Sequence, residues 1–189
     1  MAMSFAMSSP LLAIDTSGAR LQLGLAIDDT VLTEIEARER GHAEILFDRI
    51  AVLLARAGMG YADLQAIAVV TGPGSFSGLR IGLSAARGLG LALSVPVIGI
   101  QTLEAVSLSA PKGHPFLVAM DARRGELYRQ EFVEPGVPMQ DEIELLPVDE
   151  ALRHLHPAGK DGKIIVRLTR VIGSGAAIAA AATGAENLE

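Results

Sequence analysis

The chain contains no cysteine, which excludes disulfides, thiolate nucleophiles and Cys-based zinc or iron sites and suits a reducing cytoplasm. Tryptophan is also absent and aromatic residues make up only 4%. The interior must therefore be filled by Leu, Ile, Val and Ala, with many glycines allowing backbones to approach closely. Positive charge is scarce: the formal net charge is −6, so no free-standing surface for phosphate backbones is expected, and any RNA contact is expected indirectly, through a partner. Met1 to Pro10 carries no basic residue and no long apolar run, unlike a secretory signal. Elsewhere Gly, Pro or charge cuts each apolar run before the ~20 residues a membrane-spanning helix takes. A soluble cytoplasmic protein with no membrane contact is expected. The histidines, His42, His114, His154 and His156, include no i, i+4 pair on a helix, so no metal site is expected. His154 and His156, near Pro157, read as solvated loop side chains.

What is present is an α/β pattern. Leu11 to Asp15 and Leu21 to Ile27 read as strands around a Thr16, Ser17, Gly18 turn, and the Asp28, Asp29 turn leads into a third strand, Val31 to Ala37. The period then changes: Leu46, Ile50, Leu53, Leu54 and Ala57 recur at helical spacing over Ala43 to Ala57. Ala66 to Val70 is a buried strand, Thr71 to Ser77 a turn, Gly78 to Leu93 a second helix, and Val97 to Ile100 another strand. This is the order of an RNase H-like lobe, the unit duplicated in actin-like folds.

A duplication is visible. Aligning Leu12 to Asp15 with Val118 to Asp121 places Leu21 against Leu127, so the chain restarts near Phe116. Residues 1–110 are expected to form the first lobe and 111–189 a second lobe, reduced or truncated. Its expected elements are strands Phe116 to Met120, Leu127 to Val133 and Ile164 to Leu168, and helices at Asp149 to Leu155 and Gly173 to Ala182.

Three constellations could carry function. The turn Thr71, Gly72, Pro73, Gly74, Ser75, Phe76, Ser77, Gly78 opens a helix, where amides and dipole attract anions. The alternative is a tight turn capped by Ser77, and no P-loop Lys or three-glycine dinucleotide spacing is present. Asp15 and Asp121 end equivalent strands, where actin-like folds place carboxylates near a nucleotide-bound metal; each could equally cap its own turn. Gly78, Gly82, Ala86 and Gly90 repeat every fourth residue, making a smooth face on which a partner helix, or the protein's own sheet, could pack closely.

The segments Leu12 to Ser17 (LAIDTS), Val69 to Leu83 (VVTGPGSFSGLRIGL) and Met120 to Tyr128 (MDARRGELY) together resemble the TsaB family, also called YeaZ. The resemblance runs in order and spacing from about Leu11 to Phe132; beyond that it is loose, and the C-terminal helices usual in the family are not evident. It implies kinship with TsaD, the enzyme that transfers a threonylcarbamoyl group to the adenosine beside the anticodon. Where TsaD-like enzymes carry a His-x-x-x-His metal motif, this chain has Thr102 and Val106. Neither a hydroxyl nor a hydrocarbon replaces imidazole toward a transition metal. The resemblance thus implies an accessory subunit of a threonylcarbamoyltransferase, with no catalytic residue, metal or cofactor of its own.

The same resemblance implies a TsaD-like catalytic partner, a TsaE-like ATPase in the complex, and a homodimer when the chain is alone. The expected partner interface comprises His42, Leu46, Ile50, Leu53, Leu79, Gly82, Leu83, Ala86, Arg87 and Gly90. An actin-like ATPase or phosphotransferase is the alternative, with a vestigial, weak nucleotide site at Asp15, Thr16, Ser17, Gly72, Gly74, Ser75 and Asp121. A glycoprotease-like peptidase is weaker still, since metal ligands and a Cys nucleophile are missing.

Overall fold

The computed structural model describes residues 10–37, 41–152, 171–174 and 176–178. The chain divides into two compact units, Met1–Thr102 and Leu103–Glu189.

In the first unit β1 (Leu11–Asp15), β2 (Arg20–Ile27) and β3 (Thr30–Ala37) form an antiparallel meander, followed by α1 (His42–Arg56), β4 (Ala66–Gly72), α2 (Phe76–Leu93) and β5 (Val97–Gln101). The sheet order is β3-β2-β1-β4-β5, with β4 parallel to β1 and β5 parallel to β4. Alternation decides the buried face: Leu21, Leu23 and Leu25 are buried while Gln22 between them is exposed. With Leu12, Ile14, Ile67 and Val69 they form one core with Leu46, Ile50, Leu53 and Leu54 of α1 and Ala85 and Ala86 of α2. The helical period of α1 thus serves this sheet. At the β3 edge, Arg56 donates to the Thr33 carbonyl and to Glu34, both at 3.0 Å, and Arg49 pairs with Glu34 and Glu36. These half-exposed pairs orient more than they stabilise.

Helix α2 lies close to the sheet because its inner face carries only glycine or alanine at the points of closest approach. A Cβ on Gly78 would run into the Thr16 carbonyl oxygen, one on Gly82 would sit 2.5 Å from the Thr16 hydroxyl, and one on Gly90 would strike Val97. The cap differs from the one expected. Ser75, not Ser77, is the N-cap: its backbone is extended and its hydroxyl accepts the Gly78 N–H at 3.3 Å, so the helix begins at Phe76.

The second unit contains most of α3 (Thr102–Ser107), β6 (Phe116–Arg123), β7 (Glu126–Glu134), β8 (Val137–Pro138), β9 (Glu144–Pro147), α4 (Val148–Ala151) and β10 (Val171–Ile172). The division falls within α3, ahead of residue 110, because Leu103 and Ala110 pack with Phe116, Val118, Phe132 and Ile172. Phe116 and Phe132 stack with ring centroids 5.6 Å apart. β6 pairs antiparallel with β7 and parallel with β10, repeating the relation of β1 to β2 and β4. Gly173 follows β10 at φ 100° as Gly72 ends β4 at φ 113°. Gly173 and Ser174 form a turn rather than the start of a helix, Gly173 taking a left-handed φ of 100°; residues 176–178 are helical. The strand expected at Ile164 to Leu168 and the ends of both expected helices lie outside the described residues, as do His154 and His156. Among the described residues no helix is long and apolar enough to cross a membrane.

Arg129, buried on β7, ties this unit together: it donates to the Ala151 carbonyl of α4 at 2.6 Å, hydrogen-bonds Glu131, and places Nε 3.0 Å from a Glu144 carboxylate oxygen on β9. Its two acidic partners reach solvent, so its loss strands mainly the Ala151 carbonyl. Arg129→Ala should lower unfolding free energy by about 2 kcal/mol in chemical denaturation.

The glycine contacts give a paired prediction. Gly78→Ala should destabilise by about 3 kcal/mol, since a backbone carbonyl cannot yield. Gly88→Ala, on the same helix with open space around it, should stabilise by about 0.5–1 kcal/mol. Thermal unfolding of the two variants separates close packing from helix propensity.

Candidate functional site

The two sequence segments LAIDTS and TGPGSFSG meet in space. The turn after β1 is built by Asp15, whose Oδ1 accepts the Ser17 N–H at 2.8 Å. Thr16 and Ser17 are buried. Thr16 Oγ1 donates to the Gly78 carbonyl at 2.7 Å, and the Ser17 carbonyl accepts the Ser75 N–H at 2.7 Å. A Cβ on Gly74 would lie 2.7 Å from that same Ser17 oxygen. Asp15, Thr16, Ser17, Gly74 and Ser75 are thus brought together, with Gly72 packed against Leu79 nearby.

Part of the donor set at this helix start is used internally: the backbone N–H groups of Ser17, Ser75 and Gly78 donate to Asp15, the Ser17 carbonyl and Ser75 Oγ. Asp121 makes the same local turn in the second unit: its Oδ1 accepts the Arg123 N–H at 2.8 Å, and its Oδ2 lies 3.6 Å from the Arg123 guanidinium. Both carboxylates therefore cap their own turns.

The expected interface residues need correction. Leu46, Ile50, Leu53 and Ala86 are buried in the chain's own core, His42, Gly82 and Gly90 are buried as well, and Leu79 and Leu83 are half-buried. The smooth stripe faces the sheet, because only glycine and alanine let α2 approach Thr16, Val69 and Val97. Of the ten, Arg87 alone is exposed.

The groove between the two helices is lined by side chains that include the core residues Leu46 and Ala85. Ala43, Leu46, Phe47, Arg80, Ile81, Ser84 and Ala85 line an open groove of about 470 Å³ between α1 and α2. Phe47 is 49% and Phe76 71% exposed, and the Arg80 guanidinium stacks 4.4 Å from the Phe76 ring centroid. The Tyr61 hydroxyl donates to the Phe47 carbonyl at 3.0 Å. Burial first, and the Asp48 carboxylate second, push its phenol above the ordinary value. Sequence reading missed Phe47 because it sits one position from the core residue Leu46. The available signal was that a chain with five Phe places two beside its helix-rich motifs.

At α3, Thr102 is buried with its hydroxyl unpartnered, and Val106 packs into the second unit's core. Four residues apart on one helix, they offer no nitrogen or carboxylate to a metal. Among the described residues no group of three His, Cys, Asp or Glu side chains could hold a metal ion.

Comparison with known proteins matches these features. A family model described as TsaD, tRNA N6-adenosine threonylcarbamoyltransferase, matches residues 30–169. The tRNA threonylcarbamoyladenosine biosynthesis protein TsaB of Escherichia coli is 36% identical over 125 residues, covering 65% of this chain and 54% of that protein. Its Bacillus subtilis namesake is 37% identical over 123 residues, covering 62% and 52%. The chain spans about half the length of these curated relatives. Among solved structures, YeaZ from Pseudomonas aeruginosa is 30% identical with a TM-score of 0.66, covering 74% of this chain and 69% of that one. A second structure, an uncharacterized protein with similarity to peptidase YeaZ, shares the fold at a TM-score of 0.70 and 24% identity, covering 95% and 97%. The duplicated, actin-like α/β fold, the interlocked LAIDTS and TGPGSFSG turns and these matches place the chain in the TsaD family, on its TsaB (YeaZ) branch.

Proposed function

We propose that this chain is an accessory subunit of the machinery that makes threonylcarbamoyladenosine in tRNA, docking a TsaD-like catalytic subunit on the outer face of α1 and α2. The observation that carries the reading is the open groove lined by Phe47 and Arg80, whose guanidinium stacks on the exposed Phe76 ring. Phe and Arg together on an exposed helical face are what protein interfaces use as anchors. The rigid packing of α2 against β1 and β4 holds these side chains in place without cost on binding.

The chain contributes no catalytic group in this reading. Thr102 and Val106 stand where TsaD-like enzymes carry imidazoles, and Asp15 is engaged in capping its own turn. That Asp15 and Asp121 each accept the N–H two residues on favours this reading over a nucleotide-dependent phosphotransferase. The same helical face pairs two copies when the catalytic subunit is absent, a TsaE-like ATPase joins the complex, and RNA is reached through the partners. The setting is the cytoplasm.

Substitutions at Gly82 or Ala86 do not test docking, because they disturb the chain's own core. Ser84, exposed at the groove, does. Ser84→Trp should abolish co-elution with the TsaD-like subunit while leaving the melting temperature unchanged, and Phe76→Ala should weaken association by about 30-fold. Association unaffected by both would remove this face from the reading.

A further inference from the structure

The third family segment, MDARRGELY, holds a feature that neither the scaffold role nor the core explains. The β6–β7 hairpin turns through Arg123, Arg124 and Gly125 at φ 70°, 55° and 81°, all left-handed. Glycine adopts this conformation freely; each arginine there costs on the order of 1 kcal/mol. Asn or Gly would close the same hairpin with less strain. A register shift between Asp121 and Arg123 accompanies the turn.

The tip is braced as well as strained. Asp121 Oδ1 accepts the Arg123 N–H at 2.8 Å, the Asp121 N–H donates to Ser174 Oγ at 3.2 Å, and the Gly125 carbonyl accepts the Val148 N–H at 3.1 Å. Both arginine side chains are exposed, Arg123 at 84%. Its 3.6 Å pairing with Asp121 in water contributes too little to stability to offset the strain. What the position gains from arginine therefore lies outside the chain.

The surroundings select the ligand. Val148, bonded to the tip, begins α4, whose first turn carries Asp149 and Glu150. Guanidinium and carboxylate groups thus stand on neighbouring elements of an otherwise acidic unit. An extended polyanion that reached the two arginines would bring its next phosphates toward those carboxylates. A single carboxylate on a protein segment meets no such penalty and fits the guanidinium fork in bidentate fashion. We propose that the Arg123–Arg124 hairpin is a preorganised docking point for a carboxylate-bearing segment of a protein partner. It belongs to the second unit and stands independently of the α1–α2 reading.

The test is a titration of the full chain with a capped peptide carrying one glutamate among uncharged residues (acetyl-Gly-Gly-Glu-Gly-Gly-amide) at low ionic strength, following the arginine Nε–H signals by NMR. Saturable shifts at Arg123 and Arg124, abolished by high salt and weakened by about tenfold in Arg123→Asn/Arg124→Asn, are expected. No saturable shift, or peptide binding unchanged by the double substitution, overturns the proposal. So does a tRNA transcript bound through these arginines more tightly than the peptide. Arg124→Gly supplies the second measurement: its melting temperature should equal or exceed that of the parent, and a lower value would make the side chain a structural element and overturn the docking role.

Discussion

Thr16 stands where β1 hands over to β2, and its hydroxyl donates to the carbonyl of Gly78 in the first turn of α2. A hydrogen bond from a buried side chain to helix backbone requires the helix to lie nearly in contact with the turn, and only residues without a Cβ can occupy the surface between them. That closeness fixes the rotation of α2. Once Gly78, Gly82 and Gly90 face inward, Arg80, Ser84, Arg87 and Leu91 must face outward, with Phe76 at the helix start. The groove beside α1 is therefore a consequence of how the inner face is packed.

The duplicated units treat the same local device differently. Each has a carboxylate at the end of its first strand that accepts the N–H two residues on. In the first unit the turn that follows is buried beneath α2, and its polar groups are satisfied within the fold. In the second the turn projects into solvent and carries two strained arginines. One copy has become packing, and the other presents charge.

The first strands and both long helices were legible in the sequence through alternating and helical burial, as in Leu21, Leu23, Leu25 and Leu46, Ile50, Leu53, while β4 and β5 were legible as short apolar runs, β5 being largely exposed in the fold. The short strands β8, β9 and β10 were not, since two to four residues give no period, and Val171–Ile172 is recognisable only through its parallel pairing with β6. The candidate site was half legible. Periodicity identified the small-residue stripe on α2 but could not say which neighbour it meets; the answer lay in Thr16, distant in sequence. Exposed Phe47 escaped because apolar residues on a helix read by default as core, and Phe76 because the sequence reading left it in the turn before a helix expected to start at Gly78.

In the proposed reading, the outer face of α1 and α2, held in place from within, docks another protein. Reconstitution of the tRNA modification from purified components tests this most directly. With a TsaD-like subunit, a TsaE-like ATPase and tRNA present, threonylcarbamoyladenosine should form when this chain is added and not when it is omitted, and the chain alone should form none. Product formed equally well in its absence, or by the chain unaided, would contradict the account.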